Sequence, residues 1–164
     1  GGAASCGQCH YRTDPNIIPA SGGFIRHHEQ YNEFLKSEHA EHLTCVSCHD
    51  PHKTGQSSIK LSCEDCHADV AAVYAESEMG EAGVKCEDCH MPAMSKSAVS
   101  LRKWVGDVKT HLFKINLNAD AQPFNSDGSE AKGYITSEFS CLVCHYDRNK
   151  AWAASYKGAV HSID

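Results

Sequence analysis

Cys45-Val46-Ser47-Cys48-His49, Cys63-Glu64-Asp65-Cys66-His67 and Cys86-Glu87-Asp88-Cys89-His90 repeat one pattern: two cysteines, two residues between them, then histidine. Outward from this cluster lie two more copies, Cys6-Gly7-Gln8-Cys9-His10 and Cys141-Leu142-Val143-Cys144-His145. The five copies consume all ten cysteines of the chain. The pattern is the attachment signature of c-type haem. Each cysteine sulfur adds across one haem vinyl group, and two intervening residues let one short turn reach both vinyls. The next residue then lies under the iron, where its imidazole becomes the proximal ligand.

Two other uses of paired cysteines fit less well. A zinc site needs tetrahedral closure by a second cysteine pair or by two histidines at set spacing. A disulfide framework has no reason to place histidine after every second cysteine. With haem in the motifs, the fold class follows from length. Five haems in 164 residues leave about 33 residues for each, too few to wrap every haem in its own protein core. The expectation is a single pentahaem domain over residues 1–164 that is cored by its haems. It should be mostly irregular, with short α-helices and a small β-hairpin.

Charge narrows the partners. The formal charge is -6 before haem propionates are counted, so a nucleic-acid partner is not expected. At 41% hydrophobic residues, no run reaches membrane-spanning length. Gly1-Gly2-Ala3-Ala4-Ser5 shows neither the charged nor the apolar segment of a signal peptide. Because c-type haem is attached outside the cytoplasm, the chain reads as a mature, exported protein, periplasmic or extracellular.

Residues 1–25 read as loop apart from the first motif, with turn signals at Asp14-Pro15-Asn16 and at Pro19 to Gly23. The first haem is therefore expected at one end of the molecule. Residues 26–42 read as a helix, with Ile25, Tyr31, Phe34 and Leu35 at helical spacing. Ser62, with Asp65 three residues on, reads as the cap of a helix running to about Ser77. Residues 105–117 look strand-like, and Gly133-Tyr134-Ile135-Thr136 is the expected return strand of a hairpin. The acidic stretch from Asp120 to Glu130 lacks EF-hand spacing and reads as a solvated loop. Ser137 is expected to cap a helix bearing the fifth motif, and Trp152 to Val160 to form another.

Five proximal histidines, His10, His49, His67, His90 and His145, leave seven more: His27, His28, His39, His42, His52, His111 and His161. Neutral imidazole is a standard sixth ligand of haem iron, and each of the seven is a candidate. On a helix, His27 and His28 point about 100° apart and would serve two different haems. His39 and His42 share a face, which makes His42 the surplus one. His52, three residues past His49, would reach a neighbouring haem. Met79, Met91 and Met94 read as packing beside haem, and Arg26, Arg102 and Arg148 as surface or propionate partners.

The whole chain resembles multihaem c-type cytochromes of anaerobic respiration. Cys86-Glu87-Asp88-Cys89-His90-Met91-Pro92 is similar to a haem segment of ammonia-forming cytochrome c nitrite reductases and their relatives. In those relatives a Ser-x-His segment before a haem motif supplies a distal ligand. That resemblance implies His39 here, with Met79 at the equivalent place before Cys86. Cys48-His49-Asp50-Pro51-His52 and Thr110-His111-Leu112-Phe113-Lys114-Ile115 likewise resemble family segments, implying distal roles for His52 and His111. The lysine-ligated catalytic haem motif of the nitrite reductases is missing. The chain also resembles the small multihaem cytochromes that polymerise into extracellular filaments.

Together these readings give an electron carrier, and not an enzyme, with five bis-histidine haem c groups. Its expected partners are redox proteins or extracellular acceptors and further copies of itself in a conductive filament. A soluble periplasmic shuttle is the alternative, and a nitrite- or hydroxylamine-reducing haem enzyme a lesser one.

Overall fold

The computed structural model describes residues 2–12, 14–158 and 160–161. Short elements alternate with irregular chain throughout. Helix α1 spans Ala3–His10, strands β1 and β2 span Ala20–Ser21 and Phe24–Arg26, and α2 spans Gln30–Leu35. Helices α3 (Cys45–Cys48), α4 (Ala68–Ala75), α5 (Glu78–Glu81) and α6 (Cys86–His90) follow. Strands β3 (Ser95–Lys96), β4 (Ile115–Asn116) and β5 (Ile135–Thr136), then α7 (Ser137–Ser140) and α8 (Lys150–Ser155), complete the order. The expected class of short helices, few strands and much irregular chain is what the structure has. No helix among the described residues is long and apolar enough to cross a membrane.

Two regions differ in how they are packed. Ile18, Phe24, Ile25, Met94, Leu112, Ala131, Ile135 and Phe139 form one buried apolar cluster, with Trp104, Ile115 and Phe124 against it. β1 and β2 make a small antiparallel hairpin, turning at Gly22 and Gly23, whose φ values of 58° and 80° suit only glycine well. β2 then pairs with β3 in parallel, Ile25 beside Ser95, which draws the early chain onto the stretch 91–140, the longest without a motif. By contrast, no residue between 38 and 90, the stretch with three motifs, is buried by protein alone. A chain with no core of its own there needs another apolar body to pack against. Haem groups on its cysteines would supply one.

Several sequence expectations shift. The helix anticipated over 26–42 is confined to Gln30–Leu35, followed by a 3-10 turn at Glu38–Glu41. Arg26 is taken into β2, and His28 adopts φ 64°, a left-handed conformation that a right-handed helix cannot contain. The first motif, which the loop reading of residues 1–25 left out, is helical, in α1. The hairpin lies at 20–26. The anticipated partners at 115–116 and 135–136 do pair, but in parallel, so the intervening chain is a crossover. Ser62 caps as expected, its backbone N–H donating to Asp65 Oδ2 at 2.7 Å, but the turn is 3-10 over Cys63–Asp65 and α4 begins separately at Ala68. Ser137 lies inside α7, which ends before Cys141. α8 starts at Lys150, where Asn149 Oδ1 accepts from the Trp152 N–H at 2.9 Å.

Candidate haem-binding site

The motifs position their own cysteines. In three of them the second spacer residue bonds back to the backbone N–H just before the first cysteine. Ser47 Oγ accepts from the Thr44 N–H at 3.1 Å, Asp65 Oδ2 from Ser62 at 2.7 Å, and Asp88 Oδ2 from Lys85 at 3.0 Å. Each is half of a capping box, so a polar spacer residue winds the turn that presents both sulfurs. Val143 cannot do this in the fifth motif. There Ser137–Ser140 carries the helix and Cys141 follows as its end.

None of the ten cysteines is in a disulfide. Their neighbours order the motifs in space as in sequence. Cys45 lies near Cys6, and Cys48 faces Cys66. Cys63 lies near Cys86, and Cys89 faces Cys141 and Cys144. Burial raises Cys63 and Cys89 first, and the adjacent cysteines add to it, taking both to about 11. The attachment points thus run as one string from the first motif to the fifth.

Three proximal histidines each face one further histidine. His49 and His111 have ring centres 6.2 Å apart, His67 and His39 6.0 Å, and His90 and His161 5.8 Å. With about 2 Å from ring nitrogen to metal, and about 1 Å from that nitrogen to its ring centre, two imidazoles on opposite sides of one iron have centres about 6 Å apart. The three pairs match that separation. Burial lowers the pKa of His39, His49, His111 and His161, reaching about 4 for His111, where His49 adds to the effect. These side chains are therefore held in the neutral, metal-binding form. Nδ1 of His111 is buried without a hydrogen-bond partner, a cost that calls for another group to complete it. Opposed neutral imidazoles, paired thiols on short turns and unburied chain between them fit haem c.

The segment 110–113 links two of these pairs. Phe113 sits at φ 59°, and its carbonyl accepts from His90 Nδ1 at 2.7 Å. That bond fixes the His90 tautomer and leaves Nε2 as the nitrogen with a free lone pair. The Phe113 ring also stacks edge-on to His39, with centres 4.6 Å apart. Behind His111, Glu33 is fully buried and accepts from Ser95 Oγ at 2.9 Å, Thr110 Oγ1 at 2.8 Å and the His111 N–H at 2.5 Å. Burial raises the Glu33 carboxyl and the three donors oppose that rise. Neither Glu33 nor the Phe113 carbonyl was visible in the sequence. Glu33 sits in an ordinary amphipathic run, and a carbonyl has no residue signature.

The remaining candidates are placed differently. Among the described residues, neither His10 nor His145 has an opposed imidazole of this kind. Trp152 packs on His145 with ring centres 4.8 Å apart. His42 and His52 are exposed. His27 and His28, expected to diverge toward two haems, instead meet through their Nδ1 atoms, because His28 lies outside any helix at positive φ. Electrostatically His28 senses Arg12, His27 and His10, so the pair stands beside the first motif. Arg12, Arg26, His27 and Glu29 line a cleft of about 260 Å3 there. Burial pushes the Glu29 carboxyl up to about 7. Of the methionines, Met94 is in the protein core and not beside a motif.

No family model matches the chain, and no curated protein matches it. Among solved structures it is similar to the octaheme sulfite reductase MccA of Wolinella succinogenes, form II, with a TM-score of 0.58 and 19% identity. The match covers 73% of this chain and 26% of that one, so the chain spans about a quarter of the length of that protein. The expectation that the chain is no enzyme is thereby corrected, since the fold it shares is found within a sulfite reductase. The fold is thus one found within an octaheme protein, and this chain carries five Cys-x-x-Cys-His motifs on it.

Proposed function

We propose that the chain transfers electrons along five haem c groups attached at Cys6/Cys9, Cys45/Cys48, Cys63/Cys66, Cys86/Cys89 and Cys141/Cys144. The axial pairs are His49 with His111, His67 with His39 and His90 with His161. The observation that carries this reading is the separation of about 6 Å in all three pairs, the spacing of two imidazoles across one metal. Haem iron supplies one-electron exchange, and the protein supplies ligation, spacing and electrostatics. The chain's part is to hold neutral imidazoles in place, fix the His90 tautomer through Phe113, and keep the attachment points in one string.

The same string supports an exported, extracellular or periplasmic role. It favours a polymer of this chain over a lone shuttle. Its two end motifs, at His10 and His145, are the two without an opposed imidazole among the described residues. Ends that complete each other head to tail, without closing a ring, build filaments. Intact mass and the alkaline pyridine spectrum of the native protein test the haem count, with five expected. Electron microscopy of the same sample tests the polymer. Fewer haems or uniform small particles would overturn the corresponding part.

A second reading is favoured by the cleft at the first motif. Arg12 and Arg26 in that cleft, with Glu29 as the opposing charge, suit a small oxyanion, and the similar solved structure is named a sulfite reductase. Oxidation of a reduced viologen by the pure protein on adding sulfite or nitrite tests it, and no turnover with either anion would sink it.

A further inference from the structure

We infer that Glu33 is the positioning residue for His111, fixing the backbone from which that imidazole reaches toward His49; the inference rests on His111 being an axial ligand. The argument begins with cost. A carboxylate with no solvent exposure is among the most expensive groups to bury, and it persists only where its oxygens are fully engaged. Here both oxygens are. Oε1 takes the Ser95 hydroxyl, while Oε2 takes the Thr110 hydroxyl and the His111 N–H, at 2.9, 2.8 and 2.5 Å. All three donors come from the far, haem-free part of the chain, 62 to 78 residues away in sequence. Glu33 therefore ties α2 to the segment that delivers the ligand.

That segment is anchored on either side of His111 by the Thr110 N–H to the Pro92 carbonyl at 3.0 Å and the Ile135 N–H to the Lys114 carbonyl at 2.8 Å, while His111 itself has its backbone N–H on Glu33. Residues 109–114 belong to no helix or strand. On one side of His111 the Thr110 side chain is bound to Glu33, and on the other Leu112 is fully buried in the apolar cluster. The buried Nδ1 of the His111 ring has no well-formed hydrogen bond, and the Lys109 backbone is the polar group nearest in effect to that ring. The backbone therefore helps to set its direction, and among the described residues Glu33 is the side chain bonded to that backbone N–H. The neighbouring Phe113 then turns left-handed and offers its carbonyl to His90. One buried carboxylate accordingly sits at the root of two haem sites, directly for His49/His111 and through the chain for His90/His161.

The test uses holoprotein variants Glu33→Gln, Glu33→Ala and His111→Ala, read by ferric electron paramagnetic resonance and by the visible charge-transfer band of high-spin haem. His111→Ala is expected to convert one haem to high spin, and added imidazole to return it to low spin. Glu33→Ala is expected to give the same signature at the same haem in a large fraction of molecules, also reversed by imidazole. Glu33→Gln keeps the shape and the bond from the His111 N–H, and is expected to give a smaller fraction. Glu33→Ala in the His111→Ala background should add no further high-spin haem. If His111→Ala leaves every haem low-spin, the ligand assignment fails. If His111→Ala responds while both Glu33 variants keep wild-type spectra and only melt earlier, Glu33 is a structural group and the inference is overturned. Should Glu33→Ala fail to fold, Glu33→Gln alone decides between these outcomes.

Discussion

Phe139→Ala should be the most damaging apolar truncation in the molecule. Phe139 has no exposed surface and lies at the centre of three edge-on aromatic contacts, with Phe24 at 6.1 Å, Trp104 at 5.2 Å and Phe124 at 6.3 Å. Truncating a buried phenylalanine to alanine costs about 3–5 kcal/mol, and losing aromatic pairs worth about 0.5–1.5 kcal/mol each places this one at the upper end. For a chain of this size, each kcal/mol lowers Tm by about 2–4 °C, so a fall of about 8–20 °C is expected. The assay is thermal unfolding of the haem-loaded protein by far-UV circular dichroism. Leu101→Ala serves as control, since Leu101 is 70% exposed and should change stability by no more than about 0.5 kcal/mol. Phe139 also stands two residues before Cys141, so the melting of the fifth motif, followed in the Soret band, should shift with it. If Phe139→Ala melts within about 3 °C of the parent, a loss of about 1 kcal/mol or less, the apolar cluster is not an independent source of stability and the reasoning is refuted.

Lys150→Met should cost about 3 kcal/mol in urea unfolding, because Lys150 Nζ bridges Glu138 Oε1 at 3.0 Å and the Ala121 carbonyl at 2.6 Å, leaving a nearly buried carboxylate alone when it is removed. A loss under about 0.5 kcal/mol would mean that the pair is solvated. Gly106→Ala should lower stability by about 1–3 kcal/mol, since an added Cβ would stand 2.1 Å from the Ser95 carbonyl oxygen; an unchanged Tm would contradict the close approach. Asp107 is held down to about 2 from 3.8 by the N–H groups of Ser97, Ala98 and Val99. A carboxylate with a lowered folded pKa contributes stability above its ordinary value and loses it as pH falls through the folded one. The 97–107 loop should therefore loosen between pH 3.8 and about 2, read as faster amide exchange at Ser97 to Val99. Asp107→Asn should show that faster exchange already at pH 7, and equal exchange in both proteins would refute the contact.

The haem attachment sites are legible in the sequence because covalent chemistry fixes their spacing: a thioether turn has one length. The capping box of Ser62 with Asp65 is legible for the same local reason. What was not legible depends on distant chain. Nothing at 26–28 announces that Arg26 will be drawn into a strand beside Lys96, or that His28 will turn left-handed, yet this sets His27 and His28 together. Of the strand read over 105–117 only Ile115–Asn116 forms one, and pattern does not carry direction: the chain between makes the pairing with 135–136 parallel. The candidate ligands are readable as a list of seven histidines. Their pairing is not, since His39 meets His67 and His161 meets His90 only after the chain has folded back on itself. Glu33 was invisible because burial of a carboxylate is a property of what surrounds it.

The measurement that tests the account most directly is quantitative electron paramagnetic resonance of the ferric native protein, with spins counted per chain. Three opposed imidazole pairs predict at least three low-spin haems per chain, with no high-spin signal from the motifs of His49, His67 and His90. Fewer than three low-spin haems, in protein whose mass shows full haem loading, would contradict it.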